Sequence, residues 1–187
     1  MGVFTKSRQF LCAFPPKYSV FGGNILHIYH NRGIILLYKN DERLCLIRIY
    51  DKGVFIMTYT HGVQVVSTYP GKRILKSSAD GATNVEEVKW LTDKLVELSK
   101  SWKGSGWAYV CDISKMPPVT PDVSTQLVEL HKALEASGCK AMAFVNFAAF
   151  ITGAQAKEHQ KKSHAAIQEN SFRTEEEALK WIDTIIK

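Results

Sequence analysis

The chain has 187 residues, of which 45% are hydrophobic and 22% are charged. This length fits one domain, or one domain with an extension, and it is enough to bury a core. The composition excludes a disordered chain, and no apolar run approaches the roughly 18 residues of a membrane-spanning helix. The net charge of +6 comes almost entirely from residues 1–56, which hold 8 Lys and Arg against 3 Asp and Glu. Residues 57–187 are nearly neutral, so they offer no broad cationic face of the kind that binds nucleic acids.

The four cysteines form no CxxC pair and have no histidine at metal-ligand spacing. They are Cys12, Cys45, Cys111 and Cys139. Cys111 and Cys139 lie in or beside apolar strand runs, which is typical of buried, reduced thiols. The apolar run near the N-terminus is too short for a signal peptide, and Lys6 occupies the position where a myristoylation motif needs Ser or Thr. The sequence therefore predicts a cytoplasmic protein.

Residues 1–56 differ from the rest of the chain. They hold 9 of the 20 aromatic residues and show no helical period. One interpretation is an irregular or β-rich extension outside the domain, produced by an over-long start, with Met57 as the natural beginning. The other is a β-meander in which 44–50 and 54–60 pair with the hairpin that follows, since turn residues separate short apolar runs.

Regular structure is predicted from Gly62 onward. Residues 63–69 and 72–79 flank Pro70-Gly71 and indicate a hairpin. A helix over 84–102 is predicted because Asn84 and Glu87 form a capping box. Its apolar positions repeat every three or four residues and predict one buried face; they are Val88, Leu91, Leu95, Leu98 and Trp102.

Two buried strands and a helix follow. Residues 107–113 lack polar alternation, as expected where helices cover both faces of a sheet. Thr120 caps a helix over 121–137, Pro121 occupies its first turn, and Gly138 ends it. The predicted inner face of this helix consists of Val123, Leu127, Leu130 and Leu134. Residues 140–146 are the next buried strand.

The last third predicts two more helices. Thr152 and Gln155 open a polar helix over 153–169, and residues 171–173 resemble a short edge strand. Thr174 and Glu177 form a capping box for a helix over 174–186, which buries Ala178, Ile182 and Ile185. The order predicts an α/β fold in residues 57–187: a mainly parallel open sheet with an N-terminal hairpin and helices packed on it.

Residues 62–187 resemble the STAS domains, which share the SpoIIAA-like fold of anti-sigma-factor antagonists. The resemblance lies in Gly81-Ala82-Thr83-Asn84 before the first helix, Val110-Cys111-Asp112-Ile113-Ser114 at the central strand end, Thr120-Pro121, and residues 141–145. Familiar members carry Asp-Ser-Ser-Gly after this strand, where a kinase phosphorylates a hydroxyl. Here residues 115–121 read KMPPVTP, so that motif is absent. The chain is more similar to an uncharacterised SpoIIAA-like branch related to SEC14-type lipid-binding folds.

The resemblance implies a regulatory loop rather than an active centre. Its candidate residues are Asp112, Ser114, Lys115, Met116 and Thr120. Asp112 ends a central strand, the edge where open α/β sheets place their sites, but its expected role is to accept hydrogen bonds from the loop that follows. Thr120 is expected to act first as a helix cap, with phosphorylation at Thr120 or Ser114 as a secondary hypothesis.

We predict no catalytic residues, no cofactor and no metal site. The sequence has no P-loop, GxGxxG, GxSxG or HExxH motif. His131 and Glu135 are four apart on one helix, but two ligands do not make a metal site. A solvated or partly packed pair is expected there. Another group is cationic and is expected to face solvent; it consists of His159, Lys161, Lys162 and His164. His27 and His30 have no cysteine or acidic companions.

Three functions follow, in decreasing order of support. The first is a non-enzymatic regulatory module of STAS type that binds a protein partner through residues 112–122. The second is a domain that binds an apolar ligand or a lipid in a cleft beside the helix at 152–169. The third is RNA binding by residues 1–56. A cleft lined by Phe144, Phe147, Phe150 and Ile151 would favour the second function, whereas a filled core with an exposed apolar patch at 116–119 would favour the first.

Overall fold

We analysed a computed structural model of the chain. It describes the backbone of residues 26–29, 34–39, 43–50, 54–146, 155, 158–159 and 161–186, and side chains from residue 56 onward within these ranges. The described strands are β1 Leu26–Tyr29, β2 Ile34–Lys39, β3 Arg43–Tyr50, β4 Val54–His61, β5 Gln64–Thr68, β6 Ile74–Ala79, β7 Trp107–Asp112, β8 Cys139–Val145 and β9 Gln168–Phe172. The described helices are α1 Val85–Ser99, α2 Pro121–Ala136 and α3 Glu175–Ile185, with a 3-10 turn at Lys100–Trp102 after α1. Helical backbone is also described at residues 155, 158–159 and 161–163, a stretch called here the 155–163 segment.

The nine strands form one sheet in sequence order. Strands β1 to β6 pair antiparallel in succession, and β6 to β9 pair parallel. From β5 onward the sheet therefore consists of a hairpin followed by parallel strands, as the sequence predicts. The α/β class, with helices packed on a mainly parallel sheet over this part of the chain, is confirmed.

The N-terminal strands follow the meander alternative in their backbone pairing, because β3 pairs with β4 and β4 pairs with β5. The burial of residues 34–37 and 46–49 would separate the two interpretations, but these side chains lie outside the described ones. That residues 1–56 are dispensable for the fold stays a prediction.

Local signals set the helix boundaries as predicted. Asn84 and Glu87 form both hydrogen bonds of a capping box at α1, and Thr174 and Glu177 do the same at α3. The two helices thereby satisfy backbone donors that have no partner within the helix. Gly138 follows α2 at φ +92°, and a Cβ built on it would lie 2.8 Å from the carbonyl oxygen of Lys103. Only glycine fits there without a shift of backbone.

The polar helix predicted over 153–169 is too long. His164 has a left-handed φ of +54°, residues 165–167 have no regular structure, and β9 begins at Gln168. The edge strand predicted at 171–173 therefore starts three residues earlier and includes Glu169. Pairing with β8 overrides the weak strand preference of this polar stretch.

The sheet carries a separate apolar core on each face. On one face, large side chains of the strands pack against α1 and α2; they include Leu75, Trp107, Tyr109, Met142 and Phe144. On the other face, α3 packs through Ala178 and Ile182 onto small side chains of β7 and β8. Strand β7 lies between β6 and β8 and is buried from Trp107 to Val110, as its unbroken apolar run predicts. Among the described residues, no helix has both the length and the apolar character needed to cross a membrane.

Candidate functional site

A narrow cleft opens between the sheet and the helices α1 and α2. It encloses a cavity of about 50 Å³ that opens to solvent at its mouth. Most of its described walls are apolar, and they include Val88, Leu91, Leu127, Leu130, Met142 and Phe144. No lysine or arginine is present among the described residues that line it. The cleft is thus apolar, slim and without a cation of its own.

The floor of the cleft carries three linked polar groups. Ser77 and Cys111 lie opposite each other on β6 and β7, and Tyr109 lies two residues before Cys111 on the same face. The Tyr109 and Ser77 hydroxyls share a short hydrogen bond, and Ser77 Oγ donates to Cys111 Sγ at 3.8 Å. Burial raises the pKa of the Tyr109 hydroxyl and of the Cys111 thiol. Both groups stay protonated at neutral pH, and a protonated thiol is a weak nucleophile.

A buried histidine and a buried glutamate meet at the edge of the cleft. His131 of α2 lines it, and its Nδ1 lies 2.7 Å from the Leu127 carbonyl oxygen. A carbonyl can only accept, so Nδ1 carries the proton and a neutral ring leaves Nε2 as a bare acceptor. Glu169 Oε1 is 3.4 Å from this Nε2, and the side chains are only 3% and 5% exposed. Among the described residues, Nε2 and the two Glu169 oxygens have no polar partner other than each other.

Burial keeps this pair uncharged. Desolvation raises the pKa of Glu169 to about 8 and lowers the pKa of His131. Both shifts favour the neutral forms, since a charge loses more hydration than a neutral group when it is buried. A neutral carboxylic acid beside a neutral imidazole is therefore the state that we assign at neutral pH.

A second histidine also lines the cleft, close to the first. His159 of the 155–163 segment is 4% exposed, and its Nε2 lies 2.7 Å from Ser124 Oγ of α2. Its ring centroid is 6.4 Å from that of His131. Desolvation, together with repulsion from His131, lowers the pKa of His159 to about 4. Gln155 of the same segment accepts from the Val119 amide at 3.1 Å, which ties the segment to the loop before α2.

A buried carboxylate organises the rim beside α1. Glu87 Oε1 accepts from the Val63 amide at 3.1 Å, and Oε2 accepts from Thr83 Oγ1 at 3.0 Å. Thr83 in turn accepts from Gln64 Nε2 at 2.9 Å, and both Thr83 and Gln64 line the cleft. Gly62 permits this close approach, because a Cβ there would lie 1.7 Å from Glu87 Oε1.

The five loop residues predicted from the sequence do not form one cluster. Asp112 and Met116 line the cleft, whereas Ser114, Lys115 and Thr120 are exposed. Asp112 Oδ1 accepts from the Ser114 amide at 3.1 Å and from its hydroxyl at 2.6 Å, as expected for a residue that orders its own loop. Lys115 pairs with Asp80 at 2.7 Å. The role of the loop in recognition stays a prediction.

Thr120 occupies the N-cap of α2, but its side chain makes no capping hydrogen bond. Its hydroxyl donates to Asp122 instead. The expectation that Thr120 stabilises α2 through a side-chain cap is therefore wrong in mechanism. Thr120→Ala removes no capping hydrogen bond. The loss of about 1 kcal/mol in stability that follows from the removal of such a bond is therefore not expected.

Two other histidine interpretations are corrected by the geometry. His131 and Glu135 do not act as a pair, because His131 faces Glu169 while Glu135 Oε1 accepts from the Ala166 amide at 2.8 Å. Within the predicted cationic group, Lys161, Lys162 and His164 are exposed as expected, but His159 is buried. Among the described residues, no three His, Cys, Asp or Glu side chains are arranged to hold a metal ion. The histidines at 27 and 30 lie outside the described side chains.

Sequence reasoning missed the His131–Glu169 pair. The burial of His131 could have been predicted, because it lies four residues after Leu127 and three before Leu134 on the apolar face of α2. Glu169 gave no signal, because it was assigned to the end of a helix. Of the four aromatic and aliphatic residues expected to line a cleft, Phe144 does so; Phe147, Phe150 and Ile151 lie outside the described residues.

Comparison with known proteins bears on the fold. No protein-family profile matches the chain, and no curated protein matches it. Among solved structures, the chain is similar to an uncharacterised protein of the DUF3478 family from Shewanella loihica PV-4, described as having a SpoIIAA-like fold. The two share 14% sequence identity and superpose with a TM-score of 0.50 over 62% of this chain and 89% of the other. The chain has a SpoIIAA-like α/β fold.

Proposed function

We propose that this protein is a non-enzymatic binding module whose cleft takes a small, slim apolar ligand. The apolar cleft between the sheet and helices α1 and α2 carries this proposal. Its cavity of about 50 Å³ is smaller than the roughly 150 Å³ cavity that admits benzene, so it has room for the narrow end of an apolar chain rather than for a ring.

The state of the polar groups supports binding rather than catalysis. The Cys111 thiol and the Tyr109 hydroxyl have raised pKa values, so neither is an activated nucleophile or base at neutral pH. His131 and His159 have lowered pKa values, and both stay neutral. The free thiols of Cys111 and Cys139 suit the reducing cytoplasm in which we place the protein.

Methionine methyl groups offer a direct test of ligand binding. Met116 and Met142 line the cleft, whereas Met57 is 37% exposed and lies away from it. Protein labelled with 13C at the methionine methyls is titrated with 1-methoxypentane, a slim chain with no hydrogen-bond donor. We expect saturable shifts at Met116 and Met142 and none at Met57. Equal shifts at all three, or none at the two cleft methionines, would refute the proposal.

A blocking variant sharpens this test. Val119 is half-buried at the mouth, so Val119→Trp should reduce binding by narrowing the entrance. Lys132→Trp, at an exposed position of α2, is the matched control and should bind as the wild type does. Unchanged binding in Val119→Trp would show that the ligand enters elsewhere.

Protein recognition by the loop at 112–122 is the second candidate function. It is favoured by the exposure of Ser114, Lys115 and Thr120 directly beside the cleft residue Met116. Met116 and Val119 are half-buried and line the cleft, and only Pro117 and Pro118 between them are exposed, so the exposed apolar surface at 116–119 is small, and this ranks the loop second. A partner retained from source-cell extract by wild-type protein but lost by Lys115→Glu, with Lys132→Glu as control, would support it. Equal retention by all three would count against it.

A further inference from the structure

We propose that the edge of the sheet opposite the loop at 112–122 docks an acidic, extended protein segment that carries one aliphatic side chain. At this edge the parallel strands β6, β7 and β8 begin, and the helices α1, α2 and α3 end. The surface is separate from the cleft, so this inference does not rest on the proposed function.

Folding collects cations at this edge, although this part of the chain is nearly neutral as a whole. Arg73 Nε donates to the Gly106 carbonyl oxygen at 2.9 Å, and a Cβ built on Gly106 would lie 2.9 Å from Lys140 Cγ. A Cβ built on Gly138, two residues before Lys140, would lie 2.8 Å from the carbonyl oxygen of Lys103. Lys103 and Lys140 are exposed, and neither forms an ion pair with a described carboxylate. The edge therefore presents neighbouring positive charges.

The carboxylates in the last turns of the three helices are already engaged. Asp183 of α3 pairs with Lys72 at 2.7 Å, and Glu135 Oε1 of α2 accepts from the Ala166 amide at 2.8 Å. Glu97 of α1 forms an ion pair within its own helix. An acidic segment that approaches this edge therefore meets cations whose charge the domain itself does not neutralise.

An open pocket of about 160 Å³ lies beside these cations. Its lining includes three aliphatic side chains, those of Ile74, Ile182 and Ile186, and Arg73 connects it to the cations at Gly106. The volume is close to the roughly 150 Å³ of a cavity that admits benzene. One aliphatic side chain of a docked segment therefore fits into it.

The shape of this surface favours a protein segment over a membrane or a nucleic acid. Surfaces that bind membranes insert protruding apolar side chains. Here the apolar surface is concave, and the one large hydrophobic residue that is exposed in the described part of the chain is Met57 of β4. Nucleic acids require a long row of phosphate contacts or aromatic side chains for stacking, whereas this edge has two exposed lysines beside an aliphatic pocket. A peptide that combines carboxylates with an aliphatic side chain matches both features.

Three blocked heptapeptides test the proposal on the full-length protein. The first has six glutamates around a central leucine, the second has alanine in place of the leucine, and the third has six lysines around the leucine. In protein labelled with 13C at the isoleucine δ1 methyls, the first peptide should cause saturable shifts at Ile74, Ile182 and Ile186. Ile113 and Ile167, buried in the core on the opposite face, are the internal controls and should not move. The alanine peptide should bind about tenfold more weakly, because it buries less apolar surface, and the lysine peptide should not bind.

A charge reversal tests the cationic part of the surface. Lys103→Glu combined with Lys140→Glu should weaken binding of the first peptide roughly tenfold, because two attractions become repulsions. Lys132→Glu combined with Lys161→Glu is the matched control with the same change in net charge, and it should bind as the wild type does. All four positions are exposed, so both variants should fold.

Four other outcomes would overturn the proposal while the cleft proposal stands. Isoleucine shifts confined to residues 1–56, or none at the pocket, would show that the peptide does not dock at this edge. Equal binding by the reversed and control variants would exclude the lysines. Equal affinity for the leucine and alanine peptides would exclude the pocket. Tighter binding of phosphatidylserine vesicles or duplex DNA, lost in the reversed variant, would assign the edge to a membrane or a nucleic acid.

Discussion

The same strands build both faces of the sheet, but the side chains on the two faces differ in size and in packing. Under α3, the inward side chains of β7 and β8 are small, including Ala108, Ala141 and Ala143, and Ile182 closes onto them with no exposed surface. Under α1 and α2, the alternate positions carry Tyr109, Cys111 and Met142, with polar groups buried among them. The small and branched residues under α3 pack closely, and the free space on that face lies at its rim, beside Ile182 and Ile186. The face of large and polar residues leaves a cleft.

The two faces of the sheet also differ in how deeply their titratable groups are buried. Beside α3, the ion pairs that are described keep contact with solvent: Lys72 meets Asp183 at 2.7 Å with both side chains about half exposed, and Lys76 meets Glu175 with side chains 23% and 37% exposed. Beneath α2, Glu169 and the two histidines are buried without compensating charge. Surface pairs contribute little to stability, while buried titratable groups make stability depend on pH. We therefore expect the α3 face to contribute mainly to stability, whereas the face under α1 and α2 holds the buried titratable groups.

The largest predicted effect separates the two faces by mutation. Ile182→Ala should lower the free energy of unfolding by about 2–5 kcal/mol, because the side chain is fully buried and its removal leaves a cavity. Leu127→Ala should cost less than about 2 kcal/mol, since Leu127 is half-buried and already borders the cleft. Urea unfolding of both variants measures the difference. Equal costs would mean that the α2 face is packed as fully as the α3 face.

The next prediction is that the free energy of unfolding depends on pH, in a direction set by the raised pKa of Glu169. In the unfolded chain this group titrates at its ordinary pKa of 4.5, and in the folded protein at about 8. The folded state therefore holds the extra proton between these values, and the stability that this provides is lost as pH rises towards 8. His131 and His159 act oppositely, but only below their ordinary pKa of 6.5.

The window from pH 6.5 to 8 thus isolates Glu169. We expect the free energy of unfolding to fall there by up to about 1.4 kcal/mol per pH unit. His131 lies 3.4 Å from Glu169. The Cys111 and Cys139 thiols also interact electrostatically with Glu169, and their raised pKa values keep them neutral in the folded protein in this window.

Glu169→Gln should flatten this dependence, because the amide is neutral at every pH. Glu176→Gln, an exposed position of α3 paired with Lys180 at 2.9 Å, is the control and should keep the wild-type slope. Chemical denaturation at several pH values provides the measurement. A wild type whose stability is constant from pH 6.5 to 8 would instead indicate an ionised His131–Glu169 pair.

The sequence predicts the elements that depend on local signals, and it does not predict those that depend on tertiary contacts. Helices α1 and α3 follow from capping boxes and apolar stripes, which are local signals read within about one turn. Strand β7 follows from an unbroken apolar run. The His131–Glu169 pair joins a helix to an edge strand across the core, and β9 forms only through its pairing with β8. Tertiary contacts of this kind leave no pattern in the segment itself, so the His131–Glu169 pair could not be predicted, whereas the architecture and the cleft residues Asp112, Met116 and Phe144 could.

The smallest predicted effect concerns the removal of residues 1–56. All the registered pairs between β4 and β5 use residues 58–61 of β4, so a chain of residues 57–187 keeps the whole strand pairing next to the hairpin. Both apolar cores are also built from residues beyond 56 among those described. We therefore expect this shortened chain to fold, with a Tm within about 5 °C of that of the full-length protein. This difference corresponds to a change of roughly 1 kcal/mol in the free energy of unfolding.

Thermal unfolding followed by circular dichroism measures this shift, and the methyl shifts of Met116 and Met142 report whether the cleft is retained. A chain that melts close to the full-length value with those shifts unchanged shows that residues 1–56 are an extension. A chain that aggregates or fails to fold shows that strands β1 to β3 protect the edge of β4, since an exposed strand edge invites association. In that case the domain begins with the meander, and the comparison of the two faces extends to the full nine strands.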